Sequence, residues 1–327
     1  MTRFSLYWAF GVMAMVHSAS SQQLASNDDP RLKKPTLLWT VDWKPDDRLI
    51  AVGGDDSLLR IYSAKDLTLV RAYKVGGMIR QMKWHPTESL LAIATHNDAI
   101  SVLDISTNKT TRLNGIGHGA RGIDWNYTGQ LIATADNDGL VKIWSKEGVL
   151  KRTIAKEDDN SYFSIQWHPS RNILVASGDD IRIMDTTGFT MKTIRHRKEN
   201  TGVLTLSWHP TGDYFASGDY GHNEEGVPSL IQLWKIDGSL ISTLNGSKAE
   251  YRTIQWSKSG KSLASASDAL RIWSNKGELL FTGRSSELLW GLDWNSTNEQ
   301  IVTTGIRGTI SLWTKNGKLI KSIGPKQ

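Results

Sequence analysis

The chain has 327 residues, of which 39% are hydrophobic and 22% are charged. This balance is that of a soluble globular protein and excludes an intrinsically disordered chain or an integral membrane protein. The sequence contains no cysteine, which excludes disulfides, thiolate catalysis and Cys-ligated zinc or iron–sulfur sites. Its net charge of +6 is too small to indicate a nucleic-acid partner by itself.

The first twenty residues have the pattern of an export signal. Arg3 supplies a positive charge, residues 4–16 are almost wholly apolar, and residues 18–21 offer small side chains for cleavage. The apolar run is shorter than the about 20 residues that a membrane-spanning helix needs. We therefore predict a signal peptide over residues 1–20, an exposed lead-in segment over residues 21–35, and a periplasmic or secreted protein without a membrane anchor. The alternative is a buried first element in a cytoplasmic protein.

One pattern then recurs seven times over residues 36–324. In each repeat a tryptophan stands two residues after an apolar residue, at Trp43, Trp84, Trp125, Trp167, Trp208, Trp256 and Trp294. The spacings are 41, 41, 42, 41, 48 and 38 residues. A period near 40–45 residues is typical of the blades of a β-propeller.

Each repeat has the composition of four short strands. The tryptophan strand is followed by an apolar strand such as Leu131–Asp136, a third strand such as Val141–Trp144, and an outer strand such as Val149–Ile154. Such a sheet has two apolar faces, so neighbouring sheets must stack and the ring must close. We predict an all-β, single seven-bladed propeller with the repeated tryptophans packed between blades. The last outer strand, Gly317–Ile323, predicts that blade seven closes without a strand from the N-terminus.

The repeats resemble the WD40-repeat family from about Pro35 to Ile323. The third strands carry the apolar-Trp motif of that family as KIW, QLW, RIW and SLW, which end at Trp144, Trp234, Trp273 and Trp313. The resemblance implies a hydrogen-bonded tetrad of His, Ser or Thr, Asp and Trp. This tetrad is complete only in the third repeat, as His118, Thr134, Asp138 and Trp144, and the other repeats lack the histidine. The pattern indicates a divergent member of the family.

A second repeated position lies four residues before each core tryptophan, at the start of the innermost strand. It holds Trp39, Arg80, Arg121, Phe163, Leu204, Arg252 and Trp290. Six of these seven are aromatic or Arg, the residue types that most often carry binding energy. In WD40-like propellers the position surrounds the channel mouth, where partners commonly dock.

We therefore predict that these six residues bind a partner, together with Leu37, Met78 and Leu288 two positions earlier. The longer fifth repeat carries an insertion, Asp219–Ser229, which is expected on the same face. The alternative is that the side chains only fill the channel mouth or stack on one another as arginine–aromatic pairs.

The sequence shows no catalytic or metal-binding motif. Asp136–Gly139 fits a hairpin turn, and His85, His168 and His209 lie on different repeats, so they do not form one metal site. The basic run Arg195–Lys198 fits a solvated loop, with a polyanion contact as the alternative.

We predict a non-catalytic interaction platform for a protein or peptide, without a cofactor, acting as a monomer or within a larger complex. Nucleic acid is disfavoured as a partner. One alternative is a propeller enzyme or small-ligand binder, which a deep polar pocket with strongly perturbed carboxylates would favour. Another is a polyanion binder that uses Arg80, Arg121, Arg252 and the basic run.

Overall fold

The computed structural model describes residues 20–26, 28–96, 100–114, 119–136, 138–154, 161–197 and 201–324. Their strands form seven antiparallel sheets, each with four consecutive strands, and the sheet of blade 2 has the short strand Ser20–Ser21 added at its edge. The seven sheets are the blades of one propeller, as predicted. Blade 7 contains only its own four strands and closes the ring against blade 1 without a borrowed strand. Within the described ranges, no helix is long and apolar enough to cross a membrane.

The strands of the blades follow one order from the channel to the circumference. The innermost strands are Leu38–Trp43, Ile79–Trp84, Ala120–Trp125, Ser164–Trp167, Val203–Trp208, Thr253–Trp256 and Leu289–Trp294. The second strands are Leu49–Gly54, Leu90–Thr95, Leu131–Asp136, Ile173–Ser177, Tyr214–Asp219, Ser262–Ala266 and Gln300–Gly305. The third strands are Leu58–Ser63, Ile100–Asp104, Val141–Ser145, Ile181–Asp185, Ile231–Lys235, Ala269–Ser274 and Ile310–Thr314. The outer strands are Leu69–Lys74, Lys109–Leu113, Leu150–Ile154, Thr190–Ile194, Leu240–Leu244, Leu279–Arg284 and Leu319–Ile323.

The repeated tryptophans form the core between the blades. All seven are buried, with exposed fractions of 2–7%. Trp167 of blade 4, for example, packs in one cluster with Ala133 and Val141 of blade 3. A flat aromatic ring fills the space that two twisted sheets leave between them. The structure thus confirms the core interpretation of this position.

Neighbouring blades are also joined by hydrogen bonds at the residue before each core tryptophan. In three blades this residue is an aspartate, buried in blades 1 and 7 and half-buried in blade 3. Its carboxylate accepts a hydrogen bond from the backbone N–H of the next blade's tryptophan. The pairs are Asp42 with Trp84 at 2.7 Å, Asp124 with Trp167 at 2.8 Å and Asp293 with Trp43 at 2.7 Å. Burial raises the pKa of Asp124 to about 7 and that of Asp293 to about 6.

The junction of blades 7 and 1 has several such bonds besides its apolar core. Asp293 Oδ2 accepts Trp43 N, and Thr304 Oγ1 donates to Leu38 O at 3.2 Å. On the opposite face from the channel mouth, Asp47 accepts both the backbone N–H and the hydroxyl of Ser296, each at 2.7 Å. Ring closure therefore rests on contacts spread along the whole junction.

The lead-in segment pairs with the outer strands of blades 1 and 2, which the sequence did not indicate. Ser20–Ser21 is a short strand paired with the outer strand of blade 2, and Ala25 N donates to Ala72 O of blade 1 at 2.8 Å. Many of its side chains are exposed. Its backbone nevertheless pairs, because the outer strand of a propeller blade is a sheet edge with free N–H and C=O groups. The segment thus runs along the circumference of blades 1 and 2.

Candidate functional site

The channel opens at one face of the ring into a cavity of about 270 Å³. All seven residues that stand four positions before a core tryptophan line it: Trp39, Arg80, Arg121, Phe163, Leu204, Arg252 and Trp290. We call these seven residues the channel rim. Each rim side chain is half-buried, because the innermost strand begins there and the core of the blade lies below it.

The rim is organised around two tryptophans that meet where the ring closes. The indole rings of Trp39 in blade 1 and Trp290 in blade 7 lie 4.2 Å apart, tilted by 52°. Arg80 lies over Trp39, with its Cζ 3.7 Å from the centre of the ring. Arg252 lies against Trp290 at 4.4 Å. The predicted neighbours are thus in contact, and the stacking of arginine on aromatic rings, which was the alternative, is also present.

The remaining rim residues continue the same arrangement. Arg121 lies over the ring of Phe163 at 4.8 Å. Burial and the charges of Arg121 and Arg252 lower the pKa of Arg80 to about 10. Burial, followed by the charge of Arg252, also lowers the pKa of Arg121. Three guanidinium groups therefore share one partly desolvated mouth, where an anion would relieve their repulsion.

Leu37, Met78 and Leu288 lie beside the rim on blades 1, 2 and 7, and all three are half-buried. Their carbonyl groups accept backbone N–H groups of the turns after the second strands, at 2.9–3.1 Å. These bonds fix the backbone, and the side chains lie next to Trp39, Arg80 and Trp290 along the same chain segments. Contact of these residues with a partner stays a prediction.

The insertion Asp219–Ser229 lies on the rim face, as expected. It contains a short 3-10 turn, Asn223–Glu225, closed by a bridge between His222 and Val227. Tyr220 at its start is 46% exposed, and Arg252 Cζ lies 6.0 Å from the Tyr220 ring. The insertion therefore extends the exposed aromatic surface beside the channel rim.

The carboxylates with raised pKa values near the channel do not form an acid–base site in the cavity. Asp124 and Asp293 have raised pKa values, but their carboxylates accept backbone N–H groups between blades, and neither lines the cavity. Lys83 does line it, and its Nζ lies 2.6 Å from Asp42 Oδ1. Burial works to lower the pKa of Lys83, but the charges of the three aspartates outweigh it and raise that pKa. These perturbed groups are explained by the packing of the blades.

Comparisons with known proteins agree with this architecture. A family model described as the WD domain, G-beta repeat, matches residues 32–63 and 189–223. A second model, described as the Anaphase-promoting complex subunit 4 WD40 domain, matches residues 82–168. The chain is a divergent WD40-repeat propeller. Its divergence is visible in how few of the seven blades the repeat model matches.

Curated relatives of this WD40 propeller are distant and match only part of it. The Intraflagellar transport protein 80 homolog of Mus musculus is 25% identical over 163 residues, which is 48% of this chain and 20% of the relative. The F-box-like/WD repeat-containing protein TBL1X of Mus musculus is 28% identical over 131 residues, 36% of this chain and 24% of the relative. The match therefore spans about a fifth to a quarter of the length of these relatives.

The family tetrad of blade 3 is present in part among the described residues. Trp144 Nε1 donates to Thr134 Oγ1 at 3.2 Å, and both side chains are buried. His118 lies outside the described residues, so the full tetrad stays a prediction. The side chain of Asp138 is exposed. Asp136 is buried, and its carboxylate accepts a hydrogen bond from the ammonium group of Lys142 at 2.9 Å.

Blade 5 contains a tetrad that the sequence analysis missed. Trp234 Nε1 donates to Ser217 Oγ at 2.8 Å, and Ser217 Oγ bonds to His196 Nδ1 at 3.0 Å. His196 Nε2 lies 3.2 Å from Asp219 Oδ2, and all four residues are buried. The prediction that other repeats lack the histidine was therefore wrong. The insertion after Asp219 hides this tetrad, because Trp234 stands 17 positions after Ser217, whereas Trp144 stands 10 positions after Thr134 in blade 3.

The same tetrad corrects the interpretation of the basic run Arg195–Lys198. His196 is part of the core, and Arg197 Nη1 lies 3.0 Å from Asp219 Oδ2 and donates to Pro228 O at 2.7 Å. Arg195 is exposed, and Lys198 lies outside the described residues. The run is thus a structural anchor of blade 5 in its central part, which weakens the polyanion alternative.

The repeated His-Pro motif at the end of the innermost strand joins consecutive blades. The Nε2 atoms of His85, His168 and His209 each lie 3.0 Å from a glycine carbonyl of the next blade, at Gly129, Gly212 and Gly260. Nδ1 accepts backbone N–H groups of its own turn, so for His85 and His209 the neutral ring with hydrogen on Nε2 satisfies both contacts. At His168 the guanidinium of Arg171 also lies 2.9–3.1 Å from Nε2. We call these three contacts the histidine clasps. They leave no free ring nitrogen for a metal, and within the described ranges no three His, Asp or Glu residues cluster as ligands.

Proposed function

We propose that this WD40 propeller is a non-catalytic platform that binds a protein or peptide at its channel rim. The observation that supports it is the half-exposed pair Trp39 and Trp290, flanked by arginines over an open cavity. Large aromatic and arginine side chains that are only partly covered are the residues that dominate binding at interfaces. The apolar residues Leu37, Met78 and Leu288 extend the same surface.

The comparisons support a role in an assembly at the level of the family. One of the two matching family models describes a domain of a subunit of a complex, and the relatives are far longer proteins that contain a match to this propeller. Two alternatives are less well supported. An enzyme would need catalytic groups in the cavity, and the aspartates with raised pKa values do not line it. A polyanion binder would need the basic run to be available, but His196 and Arg197 contact Asp219 within blade 5.

The test is the double substitution Trp39→Ala with Trp290→Ala. We expect partner binding to weaken by at least about 2 kcal/mol, or about 30-fold. Folding should be nearly intact, because the blade 7–blade 1 junction keeps the bonds of Asp293, Thr304 and Asp47. Recovery of partners from a native extract and thermal melting of the purified protein measure the two effects separately.

The matched control removes two aromatic rings away from the rim, by Phe189→Ala with Tyr127→Ala. These side chains are 68% and 45% exposed, so their loss should change neither melting nor partner recovery. If the tryptophan variant melts far below the control, the two indoles serve ring closure. If it recovers every partner as well as the wild type does, the rim is not the binding surface.

We further propose that the protein is exported and that residues 1–20 are removed. Support comes from the short apolar run followed by small residues in the sequence. N-terminal sequencing of the protein purified from its natural source should find a first residue near Ser21 or Gln22. Soluble cytosolic protein that still begins at Met1 or Thr2 would contradict the proposal.

A further inference from the structure

Among the described residues, the rim arginines differ in how their charges are compensated. Arg252 forms an ion pair with Glu250 at 3.0 Å. Arg80 forms no ion pair with a described carboxylate, and its Nε atom is buried without a hydrogen-bond partner there. The nearby Asp55 accepts the indole N–H of Trp39 at 2.5 Å. Arg80 is therefore a cation whose donors the folded chain leaves partly unsatisfied.

A guanidinium with unsatisfied donors lowers the stability of the folded protein unless a ligand accepts hydrogen bonds from it. A buried donor without a partner loses the hydrogen bond that water would give. Burial and the charges of Arg121 and Arg252 lower the pKa of Arg80, and the charge of Asp55 offsets this only in part. An anion in the cavity would accept hydrogen bonds from the Nη atoms of this guanidinium and relieve the repulsion at once. The ring of Trp39, 3.7 Å away, holds the plane of the guanidinium in one orientation, which prepares it for a planar anionic group.

We infer that the rim binds an acidic peptide segment and that Arg80 is the residue that recognises its carboxylate side chain. This inference rests on the proposed function of the rim. The neighbouring Leu37, Met78 and Leu288 offer apolar surface for the residues that flank the carboxylate. An Asp or Glu next to apolar residues is therefore the chemistry that fits, rather than a uniformly charged polymer, since the rim cations are interleaved with aromatic rings.

The experiment starts from a random peptide library displayed on phage and selected on the purified propeller without its first 20 residues. We expect the selected peptides to be enriched in Asp or Glu beside apolar residues. A synthetic acidic peptide from this set should bind Arg80→Gln at least about tenfold more weakly than the wild type. The same peptide with Glu replaced by Gln should bind the wild type equally weakly, and the two changes together should give little further loss.

The control is Arg284→Gln, a change of an exposed arginine on the outer strand of blade 6, which should leave affinity unchanged. The peptide change does not touch the fold, so it keeps the test valid even if Arg80→Gln lowers the melting temperature. Selected peptides no more acidic than the library, or acidic peptides that bind Arg80→Gln as tightly as the wild type, would overturn the inference. Preference for a single-stranded oligonucleotide over the acidic peptide at the same site would overturn it too.

The same peptides separate this inference from the proposed function. If the selected peptides are neutral but lose affinity for the Trp39→Ala and Trp290→Ala variant, the rim is the platform and only the acidic specificity is wrong. If no selected peptide depends on these tryptophans, both proposals fail.

Discussion

Trp39 and Trp43 lie on the same strand of blade 1, four residues apart, and have different roles. Trp43 is 5% exposed and packs between blades 7 and 1 in a cluster with Val302. Trp39 is half-buried and has Arg80 and Trp290 as neighbours at the channel mouth. The inner position recurs as Trp in all seven blades, whereas the rim position varies among Trp, Arg, Phe and Leu. Packing between the blades requires Trp at the inner position. The rim position is not fixed by this packing, so its residue can vary with the partner that we propose.

The strongest test of this comparison removes the inner tryptophan of blade 4. Trp167→Ala should lower the free energy of unfolding by about 3–5 kcal/mol, because it opens a cavity between blades 3 and 4. Phe163→Ala, four residues earlier at the rim, is the matched control and should cost clearly less, since Phe163 is only half-buried. Chemical denaturation measures both. Equal losses in the two variants would remove the distinction between core and rim positions.

The second test uses two buried serines, each near the end of the second strand in its blade. Ser217→Ala in blade 5 should cost about 1–3 kcal/mol, because Trp234 Nε1 and His196 Nδ1 lose their shared partner. Ser177→Ala in blade 4 should be nearly neutral. Ser177 is fully buried, but its hydroxyl has no hydrogen-bond partner in the described part of the chain. The difference in unfolding free energy is the measurement, and equal values would mean that the tetrad does not stabilise blade 5.

The periodic features of this fold are the ones that the sequence predicts well. Seven inner tryptophans at near-constant spacing define the blades, and counting back four residues places Trp39, Arg80 and Trp290 together at the rim. Both results follow because each blade repeats one geometry, so equal positions in the sequence are equal positions in the ring.

Features that depend on contacts between distant segments are not visible in that period. The tetrad of blade 5 was missed because His196 lies in a basic run and an insertion separates Asp219 from Trp234. The pairing of Ser20–Ser21 with the outer strand of blade 2 uses free backbone groups of a sheet edge, which leave no side-chain signature. Compensation of the rim charges likewise depends on which carboxylates the turns bring close: Glu250 forms an ion pair with Arg252, whereas Asp55 accepts the indole N–H of Trp39.

The smallest expected effect concerns the histidine clasps at the opposite end of the innermost strands. Burial lowers the pKa of His85 and His168 below the ordinary value of 6.5. The unfolded chain therefore takes up protons at a higher pH than the folded chain does. The clasps of His85 and His168 stabilise the propeller fully above about pH 6.5, and this contribution is lost as the pH falls through the lower pKa values of the folded state.

Replacing both histidines by asparagine, the residue at the same repeat position in Asn126 and Asn295, removes the titration. The variant should be less stable than the wild type at about pH 8, and the gap should narrow towards about pH 5. Asp124 and Asp293, whose raised pKa values make acidification stabilising in the same range, are common to both proteins and cancel in the difference. Urea unfolding across this pH range measures the difference in unfolding free energy between the two proteins. A difference that does not change with pH would show that protonation of these histidines does not affect the stability of the propeller.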